Sequence, residues 1–259
     1  MKTNDLPIGF FDSGVGGISV LREAYKILPN ENYIYFGDSK NAPYGTRSDN
    51  EIKNLTLNAA NFLINKKIKA LVIACNTATS VAINTLRETY KDLPIVGIEP
   101  AVKPAVESTT SGSIVIMATP MTLKMRKFNE LISTYSEGRK IIPMPCPGLV
   151  EFIEKGIFEG DDLHKFLMNK YRDIDIDDIG AVVLGCTHYP FIKKELSKII
   201  DEDKIFDGSK GTANQLKHLL QDKNLLNNSS TTGNIEIINS LNDNYLHELC
   251  KNLLNLNMK

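Results

Sequence analysis

Short, continuous apolar runs alternate with longer stretches in which apolar residues recur every three or four positions. This alternation marks βαβ units and a mostly parallel sheet, because a strand covered by helices on both faces has no polar side to present. The runs predict strands at Ile8–Phe11, Tyr33–Phe36, Ala70–Ala74 and Ile95–Ile98, then at Ile114–Ala118, Lys140–Met144, Ala181–Leu184 and Lys204–Phe206. Ile235–Ile238 adds a late candidate. The periodic stretches predict helices over Asp49–Asn65 and Thr122–Tyr135. A last helix is expected to start near Ser240, with Asp243 spaced as in a capping box. Asn227–Gly233 is rich in Asn, Ser, Thr and Gly and reads as a surface loop.

The first eight strands fall into two similar series. Ala70 opens the run A-L-V-I-A-C-N-T and Ala181 opens A-V-V-L-G-C-T-H, so in each series an apolar strand runs into a cysteine followed by small polar residues. Chance recurrence of apolar runs is one account. The equivalent placement of Cys75 and Cys186 favours the other, two lobes related by a pseudo-repeat. In open α/β sheets ligands bind beyond the carboxyl ends of the strands, and both cysteines stand there.

Composition narrows the class. The chain has 259 residues, 42% of them hydrophobic and 24% charged, enough for one large or two small globular domains. Lys plus Arg number 30 against 31 Asp plus Glu, a net charge of −1, which gives no basic excess for nucleic-acid phosphates. The segment from Pro7 to Val20 carries Asp12 and several glycines where a secretory signal would be continuously apolar. The apolar runs are too short to span a bilayer. The four cysteines, Cys75, Cys146, Cys186 and Cys250, are dispersed without zinc or iron–sulfur spacing, so no metal is expected. A cytoplasmic chain with free thiols is the plain reading.

Two thiols at matching strand ends suit one demanding reaction, removal and return of the α-proton of a free amino acid. The carbon acid is weak, so a base must be held close on one face while an acid waits on the other. A thiol titrates at about 8.5 when unperturbed, near neutrality, and a helix N-terminus favours the thiolate further. Asn76-Thr77 and Thr187-His188 are expected at helix N-termini, where N–H groups receive carboxylates. The glycine-rich turn Asp12-Ser13-Gly14-Val15-Gly16-Gly17 and the turn at Pro43-Tyr44-Gly45 offer further donors.

Each feature has a plainer reading. A lone buried cysteine is usually a small hydrophobe, and Cys146 and Cys250 are taken as structural. His188 alone could be a core histidine, Asp12 a turn cap, and Glu154 a solvated helix residue. Gly14-x-Gly16 after a strand, with Asp38 ending the next, imitates a dinucleotide fingerprint, although Ser19 stands where its third glycine belongs. A nucleotide-binding module therefore remains open, though it leaves the cysteines unexplained. A thiol hydrolase using Cys186 and His188 would depend on one cysteine only. Pyridoxal chemistry needs a Schiff-base lysine, and no lysine stands in a telling context.

Five stretches taken together resemble glutamate racemases: I-G-F-F-D-S-G-V-G-G (Ile8–Gly17), F-G-D-S-K-N-A-P-Y-G (Phe36–Gly45), A-C-N-T-A (Ala74–Ala78), G-I-E-P-A (Gly97–Ala101) and L-G-C-T-H-Y-P (Leu184–Pro190). The resemblance implies a cofactor-independent enzyme that interconverts L- and D-glutamate, the D-isomer serving peptidoglycan. It implies two pseudo-symmetric, three-layer α/β lobes with mostly parallel sheets and an active-site cleft between them. The lobes are placed at 1–97 plus 208–259 and at 98–207. By position, Cys75 and Cys186 match the catalytic thiols, with Asp12, His188 and Glu154 assisting proton transfer. Asp12, Ser13, Pro43, Tyr44, Gly45, Asn76, Thr77, Thr119, Thr187 and His188 form the expected substrate-binding set. Glu151 lies one helical turn from Glu154 and competes with it for the assisting role. Related aspartate racemases tend to carry glutamate two residues after the second cysteine, where this chain has His188. The resemblance also implies a homodimer.

Overall fold

The computed structural model describes residues 3–135 and 138–255, apart from the side chain of Lys127. The chain divides into two units, Met1–Glu99 with Ser209–Lys259, and Pro100–Gly208.

In the first unit the order is β1 (Ile8–Asp12), α1 (Ile18–Ile27), β2 (Tyr33–Gly37), α2 (Asp49–Asn65), β3 (Ala70–Ile73), α3 (Asn76–Thr89) and β4 (Ile95–Gly97). In the second it is α4 (Val102–Ser108), β5 (Ser113–Ala118), α5 (Pro120–Lys124), α6 (Arg126–Tyr135), β6 (Ile141–Pro145), α7 (Leu149–Glu154), α8 (Asp161–Tyr171), β7 (Ile179–Leu184), α9 (Lys193–Leu196) and β8 (Ile205–Asp207). The chain then re-enters the first unit as α10 (Ser209–Asp222), β9 (Ile235–Asn239) and α11 (Asn244–Asn255).

The sheets run β4-β3-β1-β2-β9 and β6-β5-β7-β8, and every pairing is parallel. Without β9, the two orders are the same path traced twice, with β1 equivalent to β5, β2 to β6, β3 to β7 and β4 to β8. That equivalence carries the expected pseudo-repeat. It also fixes the place for chemistry. From β1 the chain winds outward to β2 and then returns to β3 on the other side, so the crevice beyond β1 and β3 is a topological switch point. Asp12 ends β1 there and Ser13 follows it, and Cys75 follows β3. The same point in the second sheet receives Thr119 after β5 and Cys186 after β7.

The strands read as apolar runs because both faces are covered. All five positions of β1, four of β3 and six of β5 are buried. Ile8, Phe10 and Phe11 have no exposed surface, and each such side chain contributes about 1.5–3 kcal/mol relative to exposure. β6 departs from this pattern with Pro143 and Pro145, which an edge strand tolerates because one side of its backbone has no ladder to complete. β9 closes the far side of the first sheet. Gly233 leads into it with its α-carbon so near Glu31 that a Cβ would meet the Glu31 carbonyl oxygen at 1.9 Å, so only glycine fits there.

All nine predicted strands form, shifted by a residue or two. Helix α2 matches its predicted span, started by a reciprocal cap in which Ser48 Oγ accepts from Glu51 N–H and Glu51 Oε2 accepts from Ser48 N–H. Two helices differ from expectation. Thr122–Tyr135 is broken between α5 and α6 because Met125 is extended (ψ 137°), while Thr119 caps a separate first turn. The last helix starts at Asn244, not near Ser240. Ser240 Oγ instead accepts from Lys40 N–H, while Asp243 directly precedes the helix and its Oδ1 accepts from Tyr245 N–H, so Asp243 caps the helix itself rather than closing a capping box with Ser240. No described helix is long and apolar enough to cross a membrane.

Candidate active site

In the first unit, Asp12 ends β1 with no exposed surface and accepts the Gly14 N–H at 2.8 Å through Oδ1. The turn that follows must pass close to it. A Cβ on Gly17 would meet the Asp12 Cβ at 2.6 Å, which accounts for glycine at the start of α1. Ser13 Oγ lies 3.5 Å from Cys75 Sγ. Cys75 is the N-cap of α3 in an extended conformation, and its sulfur accepts the Ala78 N–H at 3.5 Å. The side chain therefore stands where a capping oxygen normally sits, facing N–H donors and the positive end of the helix dipole. Asn76 is 4% exposed and its Oδ1 has no donor. A buried acceptor left open is costly, and it suits a ligand that brings its own N–H. Thr77, next on α3, is likewise buried.

Tyr44 is buried, and its hydroxyl donates to Asp38 Oδ2 at 2.7 Å. Burial first, and then the hydrogen bond and charge of Asp38, hold the phenol far above its usual range, so it stays protonated. Asp38 also accepts the Asn41 amide through both oxygens, at 3.1 and 3.0 Å. The carboxylate read as a nucleotide-fingerprint candidate thus holds the Pro43-Tyr44-Gly45 turn. Pro43 itself is exposed and Gly45 half-buried.

In the second unit, Cys186 Sγ lies 3.7 Å from His188 Nδ1, and His188 Nε2 lies 2.7 Å from Glu154 Oε1. The His188 side chain is 4% exposed. Burial alone pulls its pKa down, but the bonds to Cys186 and Glu154 outweigh it and hold His188 well above 6.5. Of the two competing glutamates, Glu154 makes this contact, while Glu151 faces solvent. Thr187 is buried beside the thiol. The expectation of an α-helix N-terminus here is corrected. Cys186-Thr187-His188 enters a short 3-10 turn, Tyr189–Ile192, and α9 begins only at Lys193. Pro190 restricts the backbone at this point, so donors come from a turn rather than from a helix end. Thr119 sits after β5 with its Oγ1 2.9 Å from Thr122 Oγ1, accepting also from Thr122 N–H.

Cys146 and Cys250 are buried and are not joined in a disulfide. Burial pushes the Cys146 thiol up to about 12, with Lys170 opposing and Cys186 adding to the rise. It therefore remains a neutral thiol, in keeping with a structural part. Among the described residues no group of three or more His, Cys, Asp or Glu could hold a metal ion. Asp38 and Asn41 as supports of the Tyr44 turn were missed by the sequence reading. The signal was the spacing of a carboxylate six residues before a tyrosine, too common to single out.

The fold is that of an α/β enzyme in two units, with one buried cysteine at the switch point of each of two like-wound parallel sheets. The Asp/Glu/Hydantoin racemase family model matches residues 18–216. The glutamate racemase of Clostridium novyi (strain NT) is 59% identical over 245 residues, 94% of this chain and 95% of that one. The structure of glutamate racemase from Francisella tularensis subsp. tularensis SCHU S4, in complex with D-glutamate, gives a TM-score of 0.84 at 31% identity, covering 97% of this chain and 94% of the other. The Escherichia coli glutamate racemase, in complex with L-glutamate and the activator UDP-MurNAc-Ala, gives 0.82 at 29% identity, covering 94% and 92%. The chain belongs to the glutamate racemases of the Asp/Glu/Hydantoin racemase family.

Proposed function

We propose that this chain interconverts L- and D-glutamate without a cofactor, by proton transfer between the α-carbon and two thiols, Cys75 and Cys186. The observation that carries the reading is the equivalence of the two cysteines: each follows the third strand of a sheet wound in the same order. One-base-per-face chemistry assigns one thiol to each face of the α-carbon. The thiolate on one side takes the α-proton, the S–H on the other delivers its own to the opposite face, and the thiols exchange protonation states in each turnover. Asp12 and Ser13 serve the Cys75 side, and His188 with Glu154 serves the Cys186 side. A neighbouring imidazolium stabilises a thiolate and can resupply its proton. The open acceptor of Asn76 suits the substrate ammonium. The backbone of Tyr44-Gly45, Asn76-Thr77 and Thr187-His188, with the Thr119 hydroxyl, suits the carboxylates. The Tyr44 hydroxyl donates to Asp38, so it meets a ligand only as an acceptor.

The same reading places the enzyme in the cytoplasm as a homodimer, supplying D-glutamate to peptidoglycan synthesis. The test is incubation with L-glutamate, and separately L-aspartate, in deuterium oxide. Proton NMR follows the α-proton and chiral chromatography follows the product. Exchange and D-glutamate formation with aspartate inert are expected. Exchange of aspartate alone would overturn the substrate while keeping the thiols, and no exchange with either would overturn both.

A further inference from the structure

Glu195 is a carboxylate with no exposed surface, in a Lys-Lys-Glu-Leu helix whose composition suggests a solvated turn. Its Oε2 accepts from the Gly160 backbone N–H at 3.0 Å and from Lys198 Nζ at 2.8 Å, and its Oε1 lies 2.9 Å from His164 Nδ1. Burial alone favours the neutral acid, but Lys198, Gly160 and His164 outweigh it and hold the pKa below the usual carboxylate range. An ionised group is thus kept inside the unit by three bonds, two to the start of α8 at Gly160 and His164 and one to Lys198, three residues along its own segment.

Those segments flank the Cys186 relay. Glu154 is the last residue of α7, which ends in a Schellman closure: Gly156 N–H bonds Ile153 C=O, Ile157 N–H bonds Phe152 C=O, and Gly156 takes the left-handed conformation at φ 72°. The loop then leaves towards Gly160, at φ 118°, and enters α8. The only backbone group of Gly160 able to donate is the one Glu195 holds. On the other side, the Tyr189–Ile192 turn and α9 run on directly from His188. Phe158 of the loop meets Phe191 of the turn with ring centroids 6.3 Å apart, and Lys194 pairs with Glu159 at 2.8 Å. The Lys194 pair is exposed and fixes little, whereas the Glu195–Gly160 bond is buried and charge-assisted.

We infer that Glu195 is a positioning residue: by fastening Gly160 to α9, it holds Glu154 within hydrogen-bonding distance of His188. The kinetic consequence rests on the proposed role of the Cys186–His188–Glu154 chain; the fastening itself does not. In Glu195→Leu no acceptor is left for the Gly160 N–H, whereas in Glu195→Gln the amide oxygen keeps Gly160 and Lys198 while the NH2 group donates to a neutral His164 Nδ1.

The experiment compares wild type, Glu195→Leu, Glu195→Gln, Glu195→Asp, Lys198→Met, Glu154→Gln and the Glu154→Gln/Glu195→Leu double variant, each as the full chain. The first readout is the His188 ring N–H resonance. It is expected to shift or broaden in Glu195→Leu, less so in Glu195→Asp and Glu195→Gln, and to stay in place in Lys198→Met. The second readout is racemisation, where kcat/KM is expected to fall roughly tenfold in Glu195→Leu, with no further fall when Glu154 is already Gln. An unmoved His188 resonance in folded Glu195→Leu, or in folded Glu195→Asp where the leucine variant does not fold, overturns the inference, as does a loss that adds in full to that of Glu154→Gln. If Glu154→Gln itself racemises at the wild-type rate, the role proposed for the relay fails, and the His188 resonance alone decides the fastening.

Discussion

His188 Nε2 and Glu154 Oε1 are 2.7 Å apart, although 34 residues separate them in the chain. The imidazole has the thiol of Cys186 at its other nitrogen, at 3.7 Å. A buried ring spanning a carboxylate and a thiol is favoured as the cation, and that preference sets a pH dependence.

His188 is held well above 6.5 in the folded chain. Its contribution to stability is therefore complete below about pH 6.5, the unfolded value, and is lost as pH rises through the folded value. Replacing Glu154 with Gln removes one of the two groups that raise it. The His188 ring titration, followed by NMR, should then move to lower pH, and the alkaline limb of stability should move with it. A titration that stays in place would show that Glu154 does not charge the ring.

Cys75→Ala and Cys186→Ala should each reduce racemisation by about 10²–10⁴-fold, the range expected when a positioned acid or base is deleted. Steady-state rates measured from both enantiomers check this. If either variant retained substantial activity, the two-thiol assignment would fail.

Cys146 provides the contrast. With its thiol pushed up to about 12, it should resist iodoacetamide in the folded protein at pH 8. Cys146→Ala should racemise within about twofold of wild type and lose roughly 1 kcal/mol of stability. Peptide mapping after alkylation, together with a denaturant titration, tests both points. Rapid native-state labelling of Cys146 would contradict its buried, neutral state.

Lys69 and Glu31 form an ion pair at 2.5 Å with side chains 0% and 2% exposed. Lys69 Nζ also donates to the carbonyls of Asn4 and Leu225, and Glu31 Oε1 accepts from Asn227 N–H, so the pair pins the segment that brings β9 back to the first sheet. Lys69→Met should cost about 3–5 kcal/mol, because it strands a buried carboxylate. Adding Glu31→Leu should recover much of that loss. The midpoint of denaturant unfolding measures both, and a single variant as stable as wild type would show that the pair contributes little.

Much of this protein is legible in its sequence. Parallel strands under helices must be apolar on both faces, so the runs at Ile8, Ala70, Ile114 and Ala181 announce a parallel sheet with no contact known. The same logic marks Cys75 and Cys186, since a reactive side chain directly after such a strand falls where these sheets bind ligands. Other features were decided only by tertiary structure. Met125 breaks a stretch whose periodicity is unbroken, and Thr187-His188 enters a 3-10 turn where a helix end was expected. The choice of Glu154 over Glu151, the service of Asp38 to Tyr44, and the burial of Glu195 are of the same kind. Local pattern reports whether a side chain prefers water, because that preference belongs to the residue. It cannot report which partner compensates a buried charge, since the partner comes from a distant part of the chain and is brought near only by packing.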